Sequence, residues 1–132
     1  MSNIPVVKLP EKLDVYFNYI QFYVHGKPYF RPGSIDRENT KKNHPDLFGD
    51  ILNREFGIIP AYKFDNFLKI HTPINEKGYS LAGDGLVKFK KGGLLKIIGK
   101  GYYGLGFNKD HYEEIKGEFP KLGIKEIVTG WL

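Results

Sequence analysis

The residues best suited to chemistry in this sequence are lysines and tyrosines that share one glycine-rich stretch, residues 83–107. The stretch reads GDGLVKFKKGGLLKIIGKGYYGLGF and holds eight of the sixteen glycines, five lysines and four aromatic rings. Asp84 is its only acid, and no carboxylate occurs between Gly85 and Lys109. Lysines attract phosphate groups, and tyrosines offer flat rings on which bases can stack. This combination is typical of a surface that binds a polyanion carrying flat rings.

The charge of the chain is concentrated in its second half. The 132 residues carry a net charge of +5, of which residues 1–66 contribute +1 and residues 67–132 contribute +4. The excess lies in the glycine-rich stretch, because the segment HYEEIKGE that follows it is acidic. A local positive field favours an anionic partner. The alternative is a solvated lysine-rich surface that only keeps the protein soluble.

Composition indicates a globular protein without disulfide cross-links. Hydrophobic residues make up 41% and aromatic residues 15% of the chain, which is enough for one domain over residues 1–132. Within it we expect an extended arm at residues 1–10 and a polar loop at residues 32–45. The lack of cysteine excludes disulfides and thiolate metal sites. No leader or membrane span is visible, so we expect a cytoplasmic protein with no membrane partner.

The first half of the chain predicts a strand hairpin and a helix. Tyr16–Val24 is a dense aromatic and β-branched run that favours a strand buried on both faces, with a helix ending at Gly26 as the alternative. A turn after it leads into a short edge strand at residues 28–31. A helix is expected to begin at Pro45 and to end at Gly57, with its apolar residues at helical spacing. Residues 61–70 fit a short helix or a strand.

The glycine-rich stretch predicts antiparallel strands. The Asp84-Gly85 pair is typical of a hairpin turn. A three-residue loop at residues 91–93 would place the apolar side chains of both flanking strands on one face and leave lysines on the other. A two-residue loop would set lysines opposite apolar residues, so we expect the three-residue register. In that register Val87 and Phe89 lie opposite Ile97 and Leu95, and the other face carries Lys88, Lys90 and Lys96, beside Leu86, Leu94 and Ile98.

The last part of the chain predicts a strand, a helix and a further strand. The first strand is expected around Tyr102–Phe107. Asn108 or Asp110 would cap a helix that extends to about Glu118. The tail IKEIVTGWL has the pattern of a final strand. The fold class is therefore α+β, a mostly antiparallel sheet with about two helices packed on one face and the basic face opposite.

Signals for catalysis or cofactor binding are weaker. Asp46 and Asp50 lie four residues apart on the predicted helix and could hold Mg²⁺ beside His44, as in a metal-dependent nuclease or small toxin. Asp84 near Lys88 is a second candidate pair. Residues 99–104 match G-x-G-x-x-G, but two tyrosines occupy the motif and no second βαβ unit can follow it. The four histidines are scattered, each expected in a turn or on the surface. We expect no cofactor and no catalytic or metal site, and an enzyme is the less favoured interpretation.

In its size, its lack of cysteine and its content of Lys, Tyr, Ile and Gly, the whole chain resembles the small basic single-stranded-DNA-binding proteins of archaeal rod-shaped viruses. The resemblance lies in composition, so it assigns no individual residue. It implies single-stranded DNA as the partner and a viral protein in the host cytoplasm.

Sequence and resemblance together predict a protein that binds single-stranded nucleic acid without sequence specificity. A protein-interaction or structural role is a further alternative. The aromatic run Tyr16–Val24 also predicts a homodimer with this strand near the interface. The residues expected to bind nucleic acid are basic or aromatic and come from the glycine-rich stretch and the polar loop: Lys88, Lys90, Lys91, Lys96, Lys100, Tyr102, Tyr103, Arg31, Arg37, Lys41 and Lys42.

Overall fold

A computed structural model describes residues 4–33, 47–59, 62–65, 70–73, 78–99 and 104–130, with the backbone alone at 62–65 and 70–73. The elements follow one another as β1 (Tyr16–Val24), β2 (Lys27–Pro32), α1 (Leu47–Phe56), β3 (Tyr62–Asp65), β4 (Ile70–Pro73), β5 (Tyr79–Lys90), β6 (Leu94–Gly99), α2 (Lys109–Ile115), two 3₁₀ turns (Lys116–Glu118 and Pro120–Leu122) and β7 (Glu126–Gly130).

Five of the strands form one sheet in the order β2-β1-β5-β6-β7. The first three pairings are antiparallel and the last, between β6 and β7, is parallel. Strands β3 and β4 form a separate antiparallel pair. The α+β fold class is therefore confirmed. The parallel pairing of β7 was not predicted, because its partner is separated from it by α2 and both 3₁₀ turns.

The hairpin β1–β2 explains why the aromatic run is a strand. His25 and Gly26 both have positive φ, 51° and 81°, and connect paired residues Val24 and Lys27. Two such residues form the two-residue turn whose twist matches that of paired strands. The strand prediction for this run is confirmed, and the helix alternative is wrong.

Both predicted helices are present. Gly57, with φ 69°, directly follows α1, as its predicted role as the C-terminal stop requires. The predicted start at Pro45 lies outside the described residues. Asn108 caps α2, because its side chain accepts a hydrogen bond from the backbone N–H of His111 at 2.9 Å. The helical segment then continues as the first 3₁₀ turn to Glu118.

The two helices contact different faces of the sheet. In β1, alternate side chains point in opposite directions. Ile20, Phe22 and Val24 belong to a core cluster with Phe48, Ile51 and Leu52 of α1. Phe17 and Tyr19 belong to a second cluster with Ile115 of α2 and with Phe119, Val87, Leu95 and Ile97.

The expectation that both helices pack on one face is therefore not confirmed. The physical reason is that β1 is apolar on both faces, and each face is buried by a different helix. This arrangement also removes the reason given for a dimer interface at β1. That strand lies between β2 and β5, and most of its side chains are buried within one chain.

The turn predicted at Asp84-Gly85 is wrong, because β5 continues without interruption through both residues. Gly83 and Gly85 instead leave space for atoms of neighbouring strands. A Cβ on Gly83 would overlap the side-chain oxygen of Gln21, and a Cβ on Gly85 would overlap the Ile98 carbonyl and lie 2.8 Å from the Tyr19 ring. Asp-Gly in this strand therefore marks a close approach of neighbouring strands.

Two further segments differ from or refine the predictions. Of the strand expected around residues 102–107, Tyr102 and Tyr103 lie outside the described residues. Residues 104–107 form a loop beside β5, held by a hydrogen bond from the Asp84 N–H to the Gly106 carbonyl at 3.0 Å. Of residues 61–70, the described positions are the strand β3 and the first residue of β4.

Candidate nucleic-acid interface

The hairpin β5–β6 has the register that the alternation of lysines predicted. Lys88 pairs with Lys96, Val87 with Ile97, and Phe89 with Leu95, across a turn at residues 91–93. Gly92 and Gly93 have φ values of 93° and 86°, which glycine adopts without strain. The apolar side of this hairpin faces the core cluster that contains Ile115. The other side carries Lys88, Lys90 and Lys96, and we call it the lysine face. It lies on the side of the sheet where α1 packs against β1, so the expectation that the basic face lies opposite both helices is wrong.

The lysine face continues onto the strands at either side. Tyr16 of β1 is in register with Lys88, and Val128 of β7 is in register with Lys96. One row of side chains therefore crosses four strands as Tyr16, Lys88, Lys96 and Val128. The Lys88 ammonium lies 4.4 Å from the centre of the Tyr16 ring. Tyr16 is 36% exposed and Val128 is 41% exposed, so the ends of the row are open to solvent.

Within the described residues, the lysines of this face have no ion-pair partner. In the described part of the chain, no carboxylate lies within ion-pair distance of Lys88, Lys90, Lys91 or Lys96. Several other cations are paired there: Lys116 with Glu113 at 3.2 Å, and Lys121 with Glu118 at 3.0 Å. Two acids among the described residues of β5, β6 and β7 have register positions on the side of the lysine face: Glu126, which pairs with Leu94, and Asp84, which lies four residues before Lys88 and is buried. The field of the face is therefore positive.

The Lys88–Lys96 pair bears on the stability of the sheet. Residues directly opposite each other on antiparallel strands have Cβ atoms about 4.5–5.5 Å apart, and like charges in that position destabilise a sheet. The Lys88 ammonium is held over the Tyr16 ring, whereas Lys96 is exposed. An anion placed between the two ammonium groups would relieve the repulsion, and a phosphate has the required charge.

Arg31, which the sequence predicted as a phosphate contact, is placed elsewhere. It is 1% exposed, and all three nitrogens of its guanidinium donate hydrogen bonds. Nε donates to both carboxylate oxygens of Glu55 at 3.0 Å, and the other nitrogens donate to the carbonyls of Pro5, Val6 and Phe30. Arg31 therefore connects the amino-terminal arm and α1 to β2, and its charge is paired with that of Glu55.

Glu55 receives a second cation in the same cluster. Lys8 pairs with it at 3.0 Å. Burial acts to raise the pKa of Glu55, but hydrogen bonds and charge from Arg31 and Lys8 outweigh it and lower that pKa. The carboxylate therefore stays ionised between its two cations. The cluster is structural and lies on the side of the sheet where α1 packs.

The remaining predicted contacts are not assigned a place. Lys100, Tyr102 and Tyr103 of the glycine-rich stretch lie outside the described residues, as do Arg37, Lys41 and Lys42 of the polar loop. Of the predicted nucleic-acid-binding residues, the structure brings together Lys88, Lys90, Lys91 and Lys96. It adds Tyr16, which sequence reasoning assigned to a buried strand. Its position beside Lys88 depends on the long-range β1–β5 pairing, for which the sequence carries no local signal.

The residues proposed for an enzyme are engaged in other contacts where they are described. Asp50 accepts from Arg54 in an ion pair of 2.8 Å along one face of α1. Asp84 is 1% exposed, and its carboxylate accepts the backbone N–H groups of Leu105 and Gly106 at 2.9 and 3.0 Å. Its separation from Lys88, four residues along a strand, is about 13 Å. His44 and Asp46 lie outside the described residues, and the described part of the chain holds no group of three metal-ligating side chains.

His111 differs from the prediction that it lies in a turn or on the surface. It is buried on α2, with Nδ1 3.2 Å from Gln21 Nε2 and Nε2 3.1 Å from the Phe22 carbonyl oxygen. The neutral ring fits both contacts if Nε2 donates and Nδ1 accepts. The side-chain amide of Gln21 also donates to the Asn108 backbone carbonyl and accepts a hydrogen bond from the Asn108 backbone N–H. This network joins α2 to β1, and its groups are satisfied internally, so it serves structure.

Comparison with models of known protein families and with curated proteins gives no match to this sequence. Within the described residues, no helix has the length and apolar character needed to cross a membrane.

Proposed function

We propose that this protein binds single-stranded nucleic acid, with DNA as the preferred partner, through the lysine face and without reading base sequence. The observation that carries the proposal is the Lys88–Lys96 pair, two lysines in register on neighbouring strands, in a row whose ends are exposed, without a carboxylate partner in the described residues. Lys90 and Lys91 extend the charge toward the turn. Phosphates spaced along a flexible strand can neutralise such a row.

Aromatic stacking would complete the site. Tyr16 lies at the edge of the lysine face with its ring partly exposed. Its ring already contacts Lys88, so a base stacked on it would lie next to a bound phosphate. Tyr102 and Tyr103 are proposed as further stacking rings from their place in the sequence. Stacking accepts any base, which supports binding without sequence preference.

The charge part of the proposal is tested by salt dependence. Each phosphate contact to a single strand contributes a slope of roughly −0.7 in log affinity against log salt, because condensed counterions are released. We expect the combined change of Lys88, Lys90 and Lys96 to Ala to flatten the slope by about 2. Fluorescence anisotropy with single-stranded oligonucleotides, in a series of salt concentrations, measures it.

The matched control is the combined change of Lys109, Lys116 and Lys121 to Ala. It removes the same number of positive charges from the α2 region, where Lys116 and Lys121 are already paired. Its slope should stay close to that of the unchanged protein. Equal slopes for both triple variants would overturn the proposal, because net charge would then explain binding.

Stacking is separated from charge in the same assay. Tyr16→Ala should weaken binding by roughly 1–3 kcal/mol and leave the salt slope nearly unchanged, since stacking releases no counterions. Of Tyr102→Ala and Tyr103→Ala, one should weaken binding far more than the other if these residues are extended, because neighbouring side chains then face opposite ways. Magnesium-dependent cleavage of the oligonucleotide would instead support the enzyme interpretation.

A further inference from the structure

The two edges of the five-stranded sheet differ in their protection against pairing with a further strand. At the β2 edge, the amino-terminal arm pairs with Phe30: Phe30 N–H donates to the Val6 carbonyl at 2.9 Å, and Lys8 N–H donates to the Phe30 carbonyl at 3.2 Å. Strand β2 also contains Pro28 and Pro32, which cannot donate to a further strand. Natural proteins use such devices to stop sheets from pairing edge to edge. The β2 edge is therefore closed.

In the part of the chain that the structure describes, the β7 edge shows none of these devices. Among the described residues β7 pairs with β6 alone, and its sequence EIVTG contains no proline and no lysine. The ladder shows no bulge, and the single charge, Glu126, stands at the first position. Four of the five residues of β7 are exposed. An open strand of this kind is a template for pairing with another strand.

The direction of the free backbone groups in β7 follows from one hydrogen bond. Glu126 N–H donates to the Gly93 carbonyl at 3.2 Å, toward β6. In a parallel ladder, alternate residues direct both backbone groups to the same neighbour. Val128 therefore also faces β6, whereas Ile127 and Thr129 direct their N–H and C=O groups away from the sheet. These four groups are the ones that a further strand would bond.

We propose that β7 pairs antiparallel with β7 of a second copy of this chain, on a twofold axis at Val128. In that register Ile127 of each copy lies opposite Thr129 of the other. The N–H and C=O groups of each such pair bond to each other, so all four outward groups of each copy are hydrogen-bonded. An axis at Ile127 would instead require Lys125, whose N–H already donates to the Gly93 carbonyl at 2.7 Å. The axis at Val128 also buries the exposed Val128 side chains against each other.

This pairing would join the two lysine faces. An axis perpendicular to the sheet places both faces on the same side of a ten-stranded sheet. Lys96 of one copy would lie three strand spacings from its equivalent, about 14 Å. On the proposed function, on which this consequence rests, one nucleic-acid strand would then run across both copies. The dimer itself depends only on β7.

A single cysteine tests the axis, because the chain has none of its own. At a twofold axis, paired Cα atoms lie about 4.5–5.5 Å apart, which a disulfide spans. Val128→Cys should therefore give a reducible dimer under mild oxidation, seen as twice the 15.2 kDa mass on a non-reducing gel. Thr129→Cys is the register control, since diagonal neighbours lie about 7–8 Å apart, beyond the reach of a disulfide.

Leu13→Cys controls for random collision, because Leu13 is 44% exposed against 41% for Val128 and lies away from β7. The experiment is done without nucleic acid, so its result is separate from that of the binding assays. Light scattering of the unchanged protein should also show a mass that rises toward twice 15.2 kDa with concentration. Cross-linking of Val128→Cys no faster than Leu13→Cys, faster cross-linking of Thr129→Cys, or a mass of 15.2 kDa at all concentrations would each overturn the proposal.

Discussion

At the scale of single residues, Gly85 shows how a long-range contact decides a residue type. Its missing side chain leaves room for the Tyr19 ring and the Ile98 carbonyl on neighbouring strands. Gly85→Ala should lower the free energy of unfolding by roughly 1–3 kcal/mol, the usual cost of overpacking a filled site. Urea denaturation followed by circular dichroism measures it.

Gly117 is the matched control for this prediction. A Cβ there would meet no atom within 4 Å, and its φ is not in the left-handed region. Gly117→Ala should leave the free energy of unfolding unchanged or raise it by up to about 1 kcal/mol. Similar losses from both substitutions would show that the contact with Tyr19 does not determine the cost.

The same two strands show what sequence could predict at this scale. The alternation of Lys88 and Lys90 with Val87 and Phe89 was sufficient to set the β5–β6 register, because a slip by one residue would bury lysines. The role of Asp84-Gly85 could not be predicted, since a glycine needed for a distant ring looks the same in sequence as one needed for a turn. The burial of Arg31 could not be predicted for a similar reason: its partner Glu55 lies on a different element, and the sequence does not show that the two meet.

At the scale of elements, the attachment of α2 to β1 depends on the protonation of His111. Burial lowers the pKa of His111, and a hydrogen bond to the Phe22 carbonyl and the charge of Glu114 offset only part of that effect. A group with a lowered pKa in the folded state stabilises the fold above its ordinary pKa, about 6.5, and the stabilisation is lost as the pH falls through the folded-state value.

We therefore expect the urea midpoint to fall between pH 7.5 and pH 5, with the slope beginning near the ordinary histidine pKa of about 6.5. His111→Gln should lose this part of the pH dependence while keeping the decline at lower pH that comes from Glu55, whose pKa is also lowered. A midpoint that is flat from pH 7.5 to 5 in the unchanged protein would contradict this account.

Elements were predicted better than their arrangement. The strand β1, the helix α1 with its stop at Gly57 and the Asn108 cap of α2 all carry local signals, and each is present. The side of the sheet that each helix covers, and the parallel entry of β7, depend on contacts between distant segments. Such contacts leave no periodicity in a single sequence.

At the scale of the whole molecule, β1 connects the two core clusters, since its alternate side chains enter both. We expect the two clusters to unfold in one transition. Leu52→Ala in one cluster and Ile115→Ala in the other should each lower the free energy of unfolding by about 2–5 kcal/mol. Thermal unfolding followed by near-ultraviolet and far-ultraviolet circular dichroism should give coincident curves for both variants.

Ile59→Ala serves as the control, because Ile59 is 84% exposed and its truncation should change stability little. Separate transitions in the Leu52→Ala variant, with the far-ultraviolet signal lost in two steps, would show that α1 and its cluster unfold independently of the rest.

The order of the strands in the sheet also sets a sequence of events in refolding. The hairpins β1–β2 and β5–β6 close through turns of neighbouring residues and should form within microseconds. Joining them requires β1 to find β5 across the chain from His25 to Gly78. Since closing long loops is slow relative to local pairing, this docking should limit the refolding rate. Before it, the aromatic rings of β1 would face water on both sides, which makes the undocked hairpin the species most prone to aggregate.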